Sequence, residues 1–213
     1  MTTWDERYRE AAEVGTTLFT TSPSPTVVEA FQHVRILSRH RPSAVDVGAG
    51  EGRHSADLAK RGFFVTALEP SAEGIRSGRR LHPDTSIDWV RADWQSWDPD
   101  TEVDVVLIAY LHPPAGEAIE DALPHVATWI KPSGWIVLVG HSRAQYGLNV
   151  PGPGDKERLW DAESIKGTLE SCGFETVFCD DIERRAIKHQ DDTGTDNEPA
   201  PIDVVLVAQK NGD

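Results

Sequence analysis

Val45-Asp46-Val47-Gly48-Ala49-Gly50-Glu51-Gly52-Arg53-His54-Ser55 opens as an apolar pulse, runs through three alternating glycines and passes into helix-forming residues. It reads as strand, tight turn, helix. At such a junction the backbone N–H groups of the turn and first helical turn are expected to point outward unpaired, and glycines let a ligand come close to them. The occupant this predicts is a nucleotide-like cofactor.

Spacing narrows the cofactor. A dinucleotide fingerprint needs Gly-x-Gly-x-x-Gly/Ala, its last small residue allowing the helix to pack on the strand. Gly48 and Gly50 fit, but position 53 is Arg, and the third glycine comes one residue early at Gly52.

The rest of the chain reads as alternating strand and helix. Trp4 to Val14 is expected as a short helix, and Thr16 to Pro25 as an irregular lid broken by Pro23 and Pro25. Ser24 as N-cap and Pro25 at the first helical position start a helix with Val27, Ala30, Phe31, Val34 and Leu37 on one face, ending in Arg39-His40-Arg41. Helix 55–61 stops at Gly62, and a second strand, 63–68, closes on Glu69. That order demands a parallel pair with a right-handed crossover. Ser71 caps a helix to Leu81, and a third strand runs from Ile87 to Val90. The fourth, Val103 to Tyr110, is almost continuously apolar, as in the centre of a parallel sheet. A helix is expected from 115 to 130, a turn at Lys131-Pro132-Ser133-Gly134, and a fifth strand from Trp135 to Gly140. After the Gly/Pro-rich stretch 145–155, Asp161 caps a helix to Cys172, and strands 174–180 and 202–209 flank a polar loop, 190–201. The fold class is therefore α/β, a doubly wound sheet in one domain, 1–213.

Composition sets bounds. No apolar run approaches the ~20 residues of a membrane span, and the start of the chain lacks a signal-peptide pattern, so a cytoplasmic location is expected. Two cysteines, Cys172 and Cys179, fit neither a metal knuckle nor a redox pair and read as small hydrophobes, and no metal site is expected. A formal charge of −14 argues against nucleic acid as partner, because each phosphate would meet a repulsive field.

The run Asp46-Val47-Gly48-Ala49-Gly50-Glu51-Gly52 resembles motif I of the class I S-adenosylmethionine-dependent methyltransferases. The likeness extends over about 43–140, and the closing helix and strand pair match the family's ending. It implies a Rossmann-like methyltransferase fold of seven strands, mostly parallel, with the last antiparallel. N-terminal helices and lid would occupy 1–41, the cofactor core 43–140, and an acceptor-side loop with the C-terminal helix and strand pair 141–213. Trp4-Asp5-Glu6-Arg7-Tyr8 before such a core is similar to a small bacterial branch that includes tellurite-resistance methyltransferases, which would make Trp4 and Tyr8 a cover for the cofactor.

Through this resemblance each strand end gains a role toward S-adenosylmethionine, with S-adenosylhomocysteine as product. Gly48, Ala49 and Gly50 form the loop. Glu69, with Pro70 beside it, is placed to accept both ribose hydroxyls. Asp93 would face the adenine amino group, with the backbone of Trp94 on a ring nitrogen. Ala109 and Tyr110 sit where a backbone carbonyl accepts from the methionine ammonium, Asp46 would bind the same ammonium, and Arg53 would pair with the methionine carboxylate.

Methyl transfer from a sulfonium is an in-line displacement, so alignment and desolvation supply much of the acceleration. A hydroxyl or ammonium acceptor must also lose a proton, and His112 and His141, just beyond the fourth and fifth strands, are the candidate bases. His33, His40, His82, His125 and His189 read as surface or packing residues. Planar-amine methyltransferases commonly carry Asn/Asp/Ser-Pro-Pro-aromatic after this strand, whereas the segment here is Ala109-Tyr110-Leu111-His112-Pro113-Pro114. With the acidic charge, that departure favours a small-molecule acceptor. Two other readings compete: a protein that binds S-adenosylmethionine without chemistry, and a nicotinamide-dependent oxidoreductase, the latter opposed by Arg53.

Overall fold

The computed structural model describes residues 3–36, 40–113, 116–184 and 199–212. In chain order its elements are α1 (Trp4–Glu13), α2 (Pro25–Ala30), β1 (Ser43–Val47), α3 (Arg53–Lys60), β2 (Phe64–Leu68), α4 (Ala72–Leu81), β3 (Ile87–Val90), β4 (Val103–Ala109), α5 (Ile119–Ala127), β5 (Ile130–His141), α6 (Ala162–Ser171), β6 (Phe174–Glu183) and β7 (Ile202–Lys210). The strands form one sheet in the order β3-β2-β1-β4-β5-β7-β6. All pairs are parallel except those made by β7, which runs antiparallel to β5 and β6.

Both faces of the centre are covered, and the side-chain alternation of strands divides them. Val106 and Ile108 of β4, Ile136 and Leu138 of β5, and Val204 and Leu206 of β7 pack under α5 and α6. Val105, Leu107, Val137, Val139, Val205 and Val207 pack on the other face against Val27, Ala30 and Phe31, and against Leu58 of α3. Each such side chain contributes about 1.5–3 kcal/mol through burial. The near-continuous apolar reading of β4 follows from this double cover.

Three expected elements differ. The helix entered at Pro25 ends at Ala30 and gives one 3₁₀ turn, Phe31–His33. Its later face residue Val34 lies in irregular chain packed on the core, as does Ile36; Leu37 and Arg39 lie outside the described residues. Ser24 does not cap it through its side chain, because its hydroxyl is engaged with Tyr110. Helix α5 starts only at Ile119, where the Asp121 carboxylate takes the Ala118 N–H at 2.8 Å. The expected turn 131–134 is instead the irregular first part of β5: the register with β4 jumps between Val103 and Val105, Ser133 takes a left-handed φ of 62°, and Lys131 pairs with Asp104. Residues 114, 115 and most of loop 190–201, with His189, lie outside the described residues. Cys172 and Cys179 are half-buried against the core, and Ser71 and Asp161 cap α4 and α6 as expected.

The order of strands reverses between β1 and β4, so the crevice beyond their carboxyl ends is the topological switch point. Because β7 is antiparallel, its first residues lie on that same edge, with Asp203 directly opposite His141.

Candidate active site

The loop after β1 is built to be thin. Gly48 and Gly50 hold φ of 69° and 58°, a region costly for residues with a Cβ. A Cβ on Gly48 would lie 2.8 Å from Leu111 Cδ1, and one on Gly50 would lie 2.8 Å from Tyr8 Oη. Yet the amides of Gly48, Ala49, Gly50 and Gly52 are not free, contrary to the expectation of outward-pointing donors. Gly48 and Ala49 both donate to the Leu68 carbonyl, Gly52 donates to Ala49, and Gly50 donates to Glu69 Oε2 at 2.8 Å. The loop therefore offers room and a neighbouring carboxylate, not a nest of donors for phosphate.

Glu69 follows the end of β2, its second oxygen taking the Ser71 N–H at 2.9 Å. Burial raises its pKa, and the two backbone donors oppose that shift. Together with Pro70 it lines a cleft of about 900 Å³ that also takes in Trp4, Tyr8, Gly48, Ala49, Gly50, Arg53, Ala109, Tyr110, His112 and His141. The cleft thus gathers ten of the expected residues besides Glu69 and Pro70. Asp46, Asp93 and Trp94 do not line it. Asp46 is buried under the loop and accepts the Ser55 hydroxyl at 2.6 Å, and burial pushes its pKa up to about 7. Asp93 is exposed and accepts from Gln95 N at 3.2 Å, capping the 3₁₀ turn Trp94–Ser96. Trp94 packs at the edge of the core.

The expected lid crosses the cleft from Thr17 to Thr21. What fastens it was not read from sequence: Glu51, inside the glycine loop, accepts the N–H groups of Leu18 and Phe19 at 3.0 and 3.2 Å through one oxygen and the Ser77 hydroxyl at 2.7 Å through the other. Phe19 then packs tilted against Trp4 and edge-on to Tyr8, with ring centroids 6.4 and 6.5 Å away. Arg53 donates to Thr20 at 3.0 Å.

The far end holds the histidines. His112 and His141 stack in parallel, centroids 5.5 Å apart. Burial first, then Arg158, lowers the pKa of His112 to about 4. Burial, Arg184 and His112 lower that of His141 to about 3. Both are neutral at pH 7. His141 Nδ1 is buried without a hydrogen bond and lies 3.7 Å from Oδ1 of Asp203, an oxygen equally buried and unpartnered. The other Asp203 oxygen accepts Tyr110 Oη at 2.7 Å and Thr26 Oγ1 at 3.2 Å. Asp203 is 0% exposed, and burial raises its pKa. Burial, then Asp203, pushes the Tyr110 phenol up to about 12.

Sequence reasoning missed Asp203, Arg184, Arg158, His54 and His82. His54 and His82 line the cleft, and His54 accepts the Ser24 N–H through Nε2 at 3.2 Å. Only the strand register could have exposed Asp203, since it lies 62 residues from His141 (203 − 141) and faces it across a ladder. Among the described residues no group of three or more His, Cys, Asp or Glu is placed to hold a metal ion, and no helix is long and apolar enough to cross a membrane.

A family model described as a methyltransferase domain matches residues 44–134. No curated protein matches the chain. Among solved structures, an S-adenosylmethionine-dependent methyltransferase from Mesorhizobium loti superposes with a TM-score of 0.67 at 17% identity, over 86% of this chain and 96% of that one. The 1,6-didemethyltoxoflavin-N1-methyltransferase of Burkholderia thailandensis, with 1,6-didemethyltoxoflavin and S-adenosylhomocysteine bound, gives 0.59 at 17% over 88% and 77%. TehB from Haemophilus influenzae gives 0.64 at 15% over 97% and 68%.

Proposed function

We propose that this chain, whose residues 44–134 form a methyltransferase domain within the fold of the class I S-adenosylmethionine-dependent methyltransferases, moves a methyl group onto a small-molecule acceptor by in-line displacement. One observation carries the reading: the thin glycine loop after β1 and the Glu69 carboxylate after β2 share a single cleft at the switch point, beside the ends of β4 and β5. S-adenosylmethionine, when bound, supplies a methyl group on a positively charged sulfur that leaves as a neutral thioether.

The residues present fit that cofactor better than a dinucleotide. A pyrophosphate wants free loop amides and a helix N-terminus, and the amides of Gly48, Ala49, Gly50 and Gly52 are already paired. A ribose diol wants a carboxylate, which Glu69 provides at the cleft wall. Arg53 at the cleft wall carries the charge suited to the carboxylate of an amino-acid tail, while Asp46 stays buried beneath the loop. Trp4, Tyr8 and Phe19 would exclude water once the lid is down, which strengthens every polar contact beneath it.

For a protic acceptor, His141 is the better-placed base. With Nδ1 buried against Asp203, the ring has Nε2 to turn toward the cleft, and the carboxylate would hold that tautomer and stabilise the imidazolium. Asp203 is then a positioning residue. Thermal unfolding with S-adenosylmethionine, S-adenosylhomocysteine and NAD tests the reading: a ligand at 100 times its Kd adds about 2.7 kcal/mol. Stabilisation by NAD alone would overturn it, and an acceptor screen following S-adenosylhomocysteine release separates an enzyme from a binding protein.

A further inference from the structure

We propose that the methyl acceptor is an organic anion, its carboxylate or phosphate held between Arg158 and Arg184 at the two sides of the stacked His112–His141 pair. This rests on the methyltransfer reading above and names the substrate class it left open.

Charge inside the cleft runs against the charge of the chain. The protein carries −14 overall, yet Arg7, Arg53, Arg158 and Arg184 line the cleft. Its two acidic lining residues are already engaged, Glu51 with the lid amides and Ser77, and Glu69 with the Gly50 and Ser71 amides. The histidines between are neutral and cancel nothing. Arg53 is committed at the glycine-loop end, where it meets Thr20. Arg158 and Arg184 remain at the end where a methyl group would be received.

Each is held in place without being used up. Arg184 ends the β6 side of the ladder, its own amide bonded to the Pro201 carbonyl at 2.7 Å. Its Nε lies 3.6 Å from Asp203 Oδ2, and its guanidinium sits 5.3 Å from the Tyr110 ring centre. Among the described residues its Nη groups have no hydrogen-bond acceptor. Arg158 stands two residues before Trp160, which is buried against Gly140 so closely that a Cβ there would come within 2.4 Å of the indole. Trp160 also donates to the His141 carbonyl and accepts from Arg143 N, both at 2.8 Å. The irregular 145–160 stretch is thereby anchored just beyond Arg158, whose guanidinium meets no partner among the described residues. A planar fork on a fixed stem is the arrangement that reads a carboxylate or phosphate by two parallel bonds.

The same placement links recognition to the base. Arg184 and His112 are the charged and titratable neighbours that depress His141, whose ring also adjoins Asp203 and Tyr110, both of them in contact with Arg184. An acceptor anion seated on Arg184 removes part of that repulsion, so the imidazole gains basicity when the right substrate is present.

The test uses the full chain saturated with S-adenosylhomocysteine, which occupies any site for the cofactor's own carboxylate. Benzoate and benzamide, alike in shape and different in charge, are titrated at constant ionic strength, as are inorganic phosphate and acetate, with calorimetry and the unfolding midpoint as readouts. Saturable binding of the anions and none of benzamide is expected, with a loss of about tenfold or more in Arg158→Gln and in Arg184→Lys while S-adenosylhomocysteine affinity holds. Equal binding of benzamide, unchanged anion affinity in both variants, or no saturable anion binding would overturn the proposal. Failure of S-adenosylhomocysteine itself to bind would instead overturn the methyltransfer reading.

Discussion

Replacing Glu51 by Ala removes the carboxylate that holds the lid amides of Leu18 and Phe19 to the glycine loop. In the wild type its carboxylate accepts two lid amides, at 3.0 and 3.2 Å, and one helix hydroxyl at 2.7 Å. Hydrogen bonds to a charged group contribute about 1.5–3 kcal/mol each, and the part-buried lid amides belong at the lower end because water replaces the carboxylate when the lid lifts. Two such bonds make lid closure weaker by about 3 kcal/mol, which at about 1.4 kcal/mol per decade is roughly a hundredfold rise in the open population. Amide hydrogen exchange at Leu18 and Phe19 reads that population directly. Both should exchange about two decades faster in Glu51→Ala, while amides of β4 and β5, in the doubly covered centre of the sheet, keep their protection. Unchanged exchange at Leu18 and Phe19 with the fold intact would refute the latch. A uniform rise across the sheet would show that Glu51 supports the whole domain and not the lid.

Glu69→Ala should weaken S-adenosylhomocysteine binding by about 1.5–3 kcal/mol in titration calorimetry, the scale of hydrogen bonds to a carboxylate. With an acceptor in hand, His141→Ala and Asp203→Asn should lower kcat with cofactor affinity unchanged, whereas His112→Ala should affect KM more than kcat; equal turnover in all three would leave these residues structural. Asp46→Asn should raise the unfolding midpoint of the free protein more at about pH 8 than at about pH 5, because a carboxyl with pKa raised from 3.8 to about 7 carries its full burial cost only above the higher value. His112 and His141 act with the opposite sign. Their folded pKa values of about 4 and about 3 lie below the ordinary 6.5, so the stability they confer is complete above 6.5 and is lost as pH falls toward 4. Replacing His112 by Gln should therefore flatten the midpoint between those two values, as followed by thermal denaturation.

The alternation of apolar strand and capped helix, the central place of β4 and the glycine loop were legible because each depends on neighbours in sequence. Caps at Ser71 and Asp161, the burial of 103–109 and the strand-end position of Glu69 follow from local rules of periodicity and hydrogen bonding. Two of the departures share a cause. Where a residue had two partners to choose from, the tertiary one prevailed: Ser24 gave its hydroxyl to Tyr110 in place of capping a helix, and the loop amides turned to Leu68 and Glu69 in place of pointing outward. Asp93 went the other way and kept its local partner, Gln95.

The sequence by itself determined the kind of sheet, the order of its elements and the strand ends that frame the cleft, since period, glycine placement and chain order are properties of short segments. Only the tertiary structure decided which acids and bases meet. Asp203 faces His141 because β7 is antiparallel to β5, Glu51 reaches the lid because Leu18 folds back across 33 residues, and Arg158 and Arg184 come from distant segments to line the same cleft as His112 and His141. Contacts of this sort arise from the register of non-neighbouring strands and from desolvation in a shared cleft, and neither quantity exists until the chain has closed on itself.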